Sequence, residues 1–385
     1  MNNQIKKKIK VGLIIDEFFG GANTAFGGYG FLARRLIAKY LPNDEFQVDV
    51  LLGKGKKNFL AEEYNVDHIK AYRLPKKRWF AKKWLKKQNY DLYLSIELTF
   101  NYVLENELDR NKKLILWIQD PRPQYEWDEI STVKIFPETN YYDQKIYDLV
   151  HQLYVEKRVR FISQANFLNK KAIDLYKLDS NTPIKLFHNP IEIDYNFELL
   201  NHPKKNMIIF LGRIESVKRG WLFCEIARKM PEYEFYMLGQ TFRESDKNSV
   251  IMSQYENIKN LHFAGHVDGI EKENFLKDAK ILVNTSIHEA LPISFLEALS
   301  YGTLLVSNRN PENLTKKFGY YVGDVLGDGF EKVDDYIFGI QQLLQDEMKR
   351  ESLAQEAINY VKSNHNINDF TINMRKLIKN ELNIN

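Results

Sequence analysis

The sequence predicts an α/β protein built from two doubly wound, parallel-sheet domains. Three observations carry this. Short apolar runs alternate with helix-patterned segments along nearly the whole chain. The alternation occurs in two blocks, separated by a stretch rich in proline, asparagine and charge, HNPIEIDYNFELLNHPKKN (188–206). The length of 385 residues and the 44% hydrophobic content suffice for two cores of ordinary size.

The first block opens with KVGLIID, a five-residue apolar run ended by Asp16 and Glu17. Basic residues precede it, but the run is too short for a signal-peptide core and reads as a buried strand. A glycine-rich turn and the helix-patterned YGFLARRLIAKYL follow. FQVDVLLG, YDLYLSI, KKLILWIQD, VRFISQ and IKLFHNP read as further strands. The second block repeats the pattern with KNMIIFLG, YEFYMLG, NLHFAG, AKILVNTS and TLLVSN, and the chain beyond about residue 330 reads as helices. The expected organisation is an N-terminal domain over 1–190, a second domain over 191–365 and a helix over 366–385 packing back on the first domain.

Several classes are excluded. One cysteine, Cys224, permits neither a disulfide framework nor a cysteine-ligated zinc cluster. The histidines show no metal-binding spacing, so no metal is expected. No run approaches the roughly 20 apolar residues of a membrane span. A cytoplasmic protein is expected, free or peripheral on the inner face of the membrane. The net charge of +4 hides an asymmetry: residues 51–88 hold twelve Lys and Arg against three acids. Within that segment Lys76, Lys77, Arg78, Lys82 and Lys83 interleave with Trp79, Phe80 and Trp84. A basic helix with bulky aromatics suits an anionic membrane surface. Nucleic acid is not expected as a partner, because no recognition motif accompanies the patch. A helix with inward aromatics and solvated lysines explains the same pattern.

Ligands of open parallel sheets bind beyond the carboxyl ends of the strands, which directs attention to the residues after each apolar run. After AKILVNTS comes HEALPISFLEALSYG, with Glu289 in the loop, Pro292 at a helix start, Glu297 on the second turn and Gly302 at the helix end. The N–H groups of Ala290, Leu291 and Ile293 lie at that helix start, beside Pro292, which has none, and Glu289 there favours a hydroxyl-rich ligand over a phosphate.

This stretch resembles the E-x7-E region of retaining GT-B glycosyltransferases, family 4. FLGRIESVKRG resembles the family's G-R-x4-K-G segment, FAGHV its base-facing loop with Gly265 and His266, and FHNPIEID its inter-domain segment. The resemblance implies a GT-B fold, two Rossmann-like domains facing a cleft. It implies a nucleotide-diphosphate sugar as co-substrate, no cofactor, and a saccharide or lipid-linked acceptor in surface polysaccharide synthesis. Arg213 and Lys218 would neutralise the diphosphate without a metal, Glu289 would position the sugar, and Glu297 would hold the ribose. The glycine-rich DEFFGGANTAFGGYG, with Gly27 and Gly28, would face the donor. Gln119 and Asp120 would lie on the sugar side, with Tyr125 and Trp127 toward the acceptor. Three departures stand out: Ala290 replaces the family's common glycine, Arg219 separates Lys218 from Gly220, and Gln119 stands where many relatives have histidine. A nucleotide-sugar epimerase and a non-catalytic subunit that binds a partner transferase remain as alternatives.

Overall fold

The computed structural model describes residues 7–193, 202–241 and 245–384. They divide into two compact units, one of residues 1–121, 143–192 and 366–385, the other of 122–142 and 193–365. Residues 194–201 of the expected linker lie outside the described residues.

The first unit is built on a sheet of order β3-β4-β2-β1-β5-β6-β7-β8. Its strands are β1 (Ile9–Ile14), β2 (Phe46–Lys54), β3 (Glu62–Val66), β4 (Ile69–Leu74), β5 (Leu92–Ile96), β6 (Lys113–Ile118), β7 (Val159–Ser163) and β8 (Lys185–Leu186). All pairings are parallel except the β3–β4 hairpin at the edge. The central strands are apolar on both faces, as a sheet covered by helices on both sides requires: Val11, Leu13, Leu94 and Ile115 are buried on one face, and Ile14, Tyr93, Leu114 and Leu116 on the other. The hairpin escapes the sequence reading because Glu62–Val66 alternates polar residues and its turn uses Asp67 and His68 in the left-handed region rather than glycine. The C-terminal helix Ile367–Glu381 belongs to this unit. Phe370 stacks on Trp117 at 5.1 Å, and Arg375 donates to the carbonyls of Tyr40 and Leu41.

The second unit holds a fully parallel sheet of order β11-β10-β9-β12-β13-β14. The strands are β9 (Met207–Leu211), β10 (Glu234–Leu238), β11 (Leu261–Gly265), β12 (Ile281–Asn284), β13 (Leu304–Ser307) and the short β14 (Gly319–Tyr321). Cys224 is buried in its core beside Trp221 and Phe223. The helices Val333–Gln345 and Glu347–Asn364 close the unit.

The expectation of an unbroken first domain over 1–190 is corrected here: residues 122–142 belong to the second unit. Apolar burial explains it. Ile130, Val133 and Phe136 lie in that unit's core, Phe136 meets Trp221 edge-on at 5.0 Å, and the Asp328 carboxylate accepts from the N–H groups of Lys134 and Ile135.

At the amino ends of the second sheet, the Lys204 ammonium donates to the carbonyls of Leu276 and Tyr301 and to the Thr303 hydroxyl. Burial, with Arg350 nearby, pushes this lysine down to about 7. Between that value and the ordinary one the unfolded chain binds more protons than the folded one, so stability rises with pH across the window. Thermal melts of wild type and Lys204→Met from pH 7 to 10 should show wild type gaining on the variant as pH increases. A constant difference would refute the depressed lysine.

Candidate functional site

In the second sheet the strand order reverses between β9 and β12, and a doubly wound sheet opens a crevice where the loops after two such strands diverge. The loop after β9 carries Arg213 and Lys218; the loop after β12 carries Glu289. The structure brings the last two together. Lys218 Nζ donates to Glu289 Oε1 at 2.6 Å, and the same oxygen accepts from Ser286 Oγ at 2.5 Å and Asn284 Nδ2 at 3.1 Å. Three donors on one oxygen hold the carboxylate in a single orientation and leave Oε2 outside these bonds. Arg213 lies at the same loop, 3.3 Å from Glu215.

Beneath Glu289 runs a buried polar network that the sequence reading missed. The single Tyr336 O–H donates to Asn308 Oδ1 at 2.7 Å, with the Asn284 carbonyl 3.1 Å from the same oxygen; Asn308 Nδ2 donates to the Ser286 carbonyl, and Ser307 Oγ to Asn284 Oδ1. The available signal was the polar run Asn284-Thr285-Ser286 after an apolar strand, together with Ser307-Asn308 after the next. Buried polar groups survive when bonded to one another, and here that bonding pre-sets the loop.

The helix Ile293–Ser300 starts after Pro292, which serves as its extended N-cap residue rather than its first helical residue. Ala290 and Leu291 are buried in the loop before it. Glu297 meets Lys272 Nζ at 2.7 Å, another partner not foreseen. Gly302 takes the left-handed conformation at the helix end. At the end of β11, Gly265 is also left-handed with open space around it, and burial depresses the His266 imidazole below its ordinary value. After β10, a Cβ on Gly239 would overlap the Gly212 carbonyl, so only glycine lets these two loops touch.

Residues 122–142 adjoin the same loop. Glu129, on the helix Gln124–Ile130, lies 2.7 Å from His288 Nε2, one residue before Glu289. Trp127 packs between Arg122 and Tyr141, and Tyr125 is exposed.

The first unit departs further from expectation. Gln119 is 1% exposed and exchanges hydrogen bonds with Asn189 in a buried amide cluster that includes Gln164. Its side chain is spent on structure, which removes it as a sugar contact. Buried Glu97 accepts from the N–H groups of Gln119 and Asp120 and from Tyr176 Oη, and Asp120 lies 3.6 Å from Lys171. The glycine-rich loop is compact: Phe19 packs edge-on against Phe26 and Phe31. Glu17 accepts from the Gly30 N–H at 3.0 Å, and a Cβ on Gly27 would collide with that carboxylate. The helix start at Gly28 is thus served by an internal anion, which argues against Gly27 and Gly28 as a phosphate cradle.

In the basic segment, the helix Arg78–Gln88 buries Ala81 and Leu85, and Trp84 packs on Tyr72 at 5.0 Å. Trp84 therefore turns toward its own unit. Trp79 is 66% exposed, and Phe59 and Leu60 are 58% and 69% exposed. Phe80 joins Trp79 to Phe59 through edge-on contacts of 4.8 and 4.9 Å. Among the described residues no cluster of three or more His, Cys, Asp or Glu could hold a metal ion, and no helix is long and apolar enough to cross a membrane.

Residues 192–360 match the family model described as glycosyl transferases group 1. An uncharacterized glycosyltransferase of Methanocaldococcus jannaschii is 25% identical over 217 residues, 52% of this chain and 49% of that protein. The match spans about half the length of that curated relative. Sucrose-phosphate synthase from Thermosynechococcus elongatus superposes with a TM-score of 0.73 at 14% identity, over 97% of this chain and 99% of that one. HepE from Anabaena, in complex with UDP and glucose, gives 0.70 at 11% identity, over 97% and 100%. The fold is GT-B. At these identities the structural likeness concerns the GT-B fold alone.

Tyr336→Phe should cost about 1–3 kcal/mol, because it leaves Asn308 Oδ1 without its buried donor. Urea unfolding at unchanged m-value would check it; equal stability would show that the network does not bear on the loop.

Proposed function

We propose that the protein is a retaining, metal-independent glycosyltransferase that moves a sugar from a nucleotide-diphosphate sugar to a glycan or lipid-linked acceptor. The carrying observation is the convergence of Lys218 and Glu289 at the β9/β12 switch point, with Arg213 on the Lys218 loop. The group 1 family match over that unit supports glycosyl transfer.

In this reading the donor diphosphate lies against Arg213 and Lys218. Lys218 leaves part of its contact with Glu289 for a phosphate oxygen, and two fixed cations stabilise the charge that builds on the leaving group. Glu289 accepts from sugar hydroxyls, and Glu297 from the ribose. The acceptor hydroxyl attacks the anomeric carbon on the face from which the diphosphate leaves. The carbon–oxygen bond to phosphate breaks, the new glycosidic bond forms, and the leaving phosphate oxygen takes the acceptor proton. Configuration is retained without an enzyme nucleophile. Surface polysaccharide synthesis is the role that the family resemblance favours.

Thermal-shift titration with UDP-, GDP-, dTDP- and ADP-sugars tests the donor site, starting with UDP-glucose because HepE has been solved with it. One nucleotide class should raise Tm in wild type, and Glu297→Ala should abolish the rise. No response to any donor would favour the non-catalytic subunit. Sugar isomerisation with donor alone would identify an epimerase. Arg213→Ala should lower kcat by about 100-fold or more if it stabilises the leaving diphosphate. Unchanged turnover would remove that assignment.

A second reading concerns the basic segment. Exposed Trp79, Phe59 and Leu60 lie among Lys56, Lys57, Lys76, Lys77 and Lys83, a composition that suits the interface of an anionic bilayer. Co-sedimentation with phosphatidylglycerol vesicles should fall by about tenfold or more in the triple variant Trp79→Ser, Lys76→Glu, Lys77→Glu, at about 1 kcal/mol per surface cation. Equal sedimentation of the variant would dismiss membrane contact.

A further inference from the structure

Arg219 is the residue that separates Lys218 from Gly220, and the structure gives it a task. Its backbone is left-handed, with φ 48° and ψ 48°, a conformation that costs a side-chain-bearing residue and costs glycine little. The side chain is nonetheless retained at 0% exposure. Its Nε donates to the Thr285 carbonyl at 2.7 Å, and Nη1 donates to the carbonyls of Val325 and Gly327 at 3.1 and 3.2 Å. None of these acceptors lies in a helix or strand. The contact is reciprocated: the single Thr285 O–H donates to the Lys218 carbonyl at 2.7 Å, with the Arg219 carbonyl 3.1 Å from the same oxygen, and the Ile287 N–H donates to the Val217 carbonyl at 2.8 Å.

A buried guanidinium is costly, and the cost is not fully met here: Nε and Nη1 are used, while Nη2 is buried with no hydrogen-bond partner among the described residues. The three carbonyls drawn to Nε and Nη1 mark a junction the fold maintains against that cost. The junction joins the loop of Arg213 and Lys218 to the loop of Glu289. Loop residues otherwise keep conformational entropy, and loops that wander do not present two cations at one spacing. We infer that Arg219 is a positioning residue for the donor diphosphate: without touching the donor, it locks the cation-bearing loop to the carboxylate-bearing loop. This rests on the donor-site reading above. Arginine here replaces the conformational freedom of a glycine with a side-chain clamp.

The test is calorimetric titration of the full chain with UDP, GDP and ADP and with the matching monophosphates. Wild type should bind one diphosphate more tightly than its monophosphate. Arg219→Gly suits the left-handed backbone and removes the clamp. It should weaken the diphosphate by about tenfold or more, the scale expected when binding groups lose their placement, and leave the monophosphate within about twofold. Arg219→Lys, which keeps the charge but cannot span three carbonyls, should fall between. Thr285→Val deletes one hydroxyl at nearly constant shape and loosens the junction from the other side. It should show the same selectivity at smaller size, and it decides the matter if Arg219→Gly does not fold. Folded variants that weaken both nucleotides equally, or neither, would overturn the inference while leaving the donor site standing. Wild type that binds no diphosphate would overturn the donor-site reading, and the inference with it.

Discussion

The site depends on one constraint: two loops that leave the carboxyl ends of β9 and β12 must be held at a set spacing. Strand pairing brings β9 and β12 side by side through Ile281–Ile208 and Leu282–Ile209, but pairing stops short of the loops. Beyond that point the buried Arg219 guanidinium, the Thr285 hydroxyl and the Ile287–Val217 backbone bond take over. Charge-assisted bonds suit this task because they are directional, whereas apolar contacts tolerate sliding. The polar layer of Asn284, Ser286, Ser307, Asn308 and Tyr336 extends the same logic beneath Glu289.

The charges of the candidate site are balanced pairwise. Lys218 neutralises Glu289, and Lys272 neutralises Glu297. Each pair is shielded enough for unpaired charge to be costly, so each partner stabilises the other before any ligand arrives. In the proposed reading a diphosphate would compete for Lys218 with a carboxylate already in contact, and sugar hydroxyls would approach a carboxylate whose orientation is set. Binding then requires exchange of partners rather than assembly of a site, which limits the ordering cost.

The first unit uses similar materials for another purpose. Glu97, Gln119, Gln164, Asn189 and Tyr176 form a buried cluster at the ends of β5 to β7, and Glu17 serves the helix start after β1. Residues that read as ligand contacts in one dimension are consumed by internal bonds in three. The segment 122–142 shows the reverse. It follows β6 in the chain, yet its apolar residues Ile130, Val133 and Phe136 complete the core of the other unit and bring Glu129 to His288.

The alternation of apolar runs with helical patterns was enough to determine the fold class. A strand buried on both faces must be apolar throughout, and that pattern survives in one dimension. The positions after strands, Arg213, Lys218 and Glu289, were legible for the same reason, since sheet topology sends ligands there. Three features were not. The β3–β4 hairpin carries polar alternation and a turn without glycine. The residence of 122–142 in the second unit depends on which core accepts three apolar side chains, a choice that local sequence does not encode. The roles of Arg219, Lys272 and Gln119 depend on partners 66, 25 and 70 residues away. The sequence by itself determined where charged and polar groups leave the strands. Only the tertiary structure decided which of them gather at the switch point and which are consumed in buried clusters elsewhere, because hydrogen-bond partners are chosen by distance in space and not by separation along the chain.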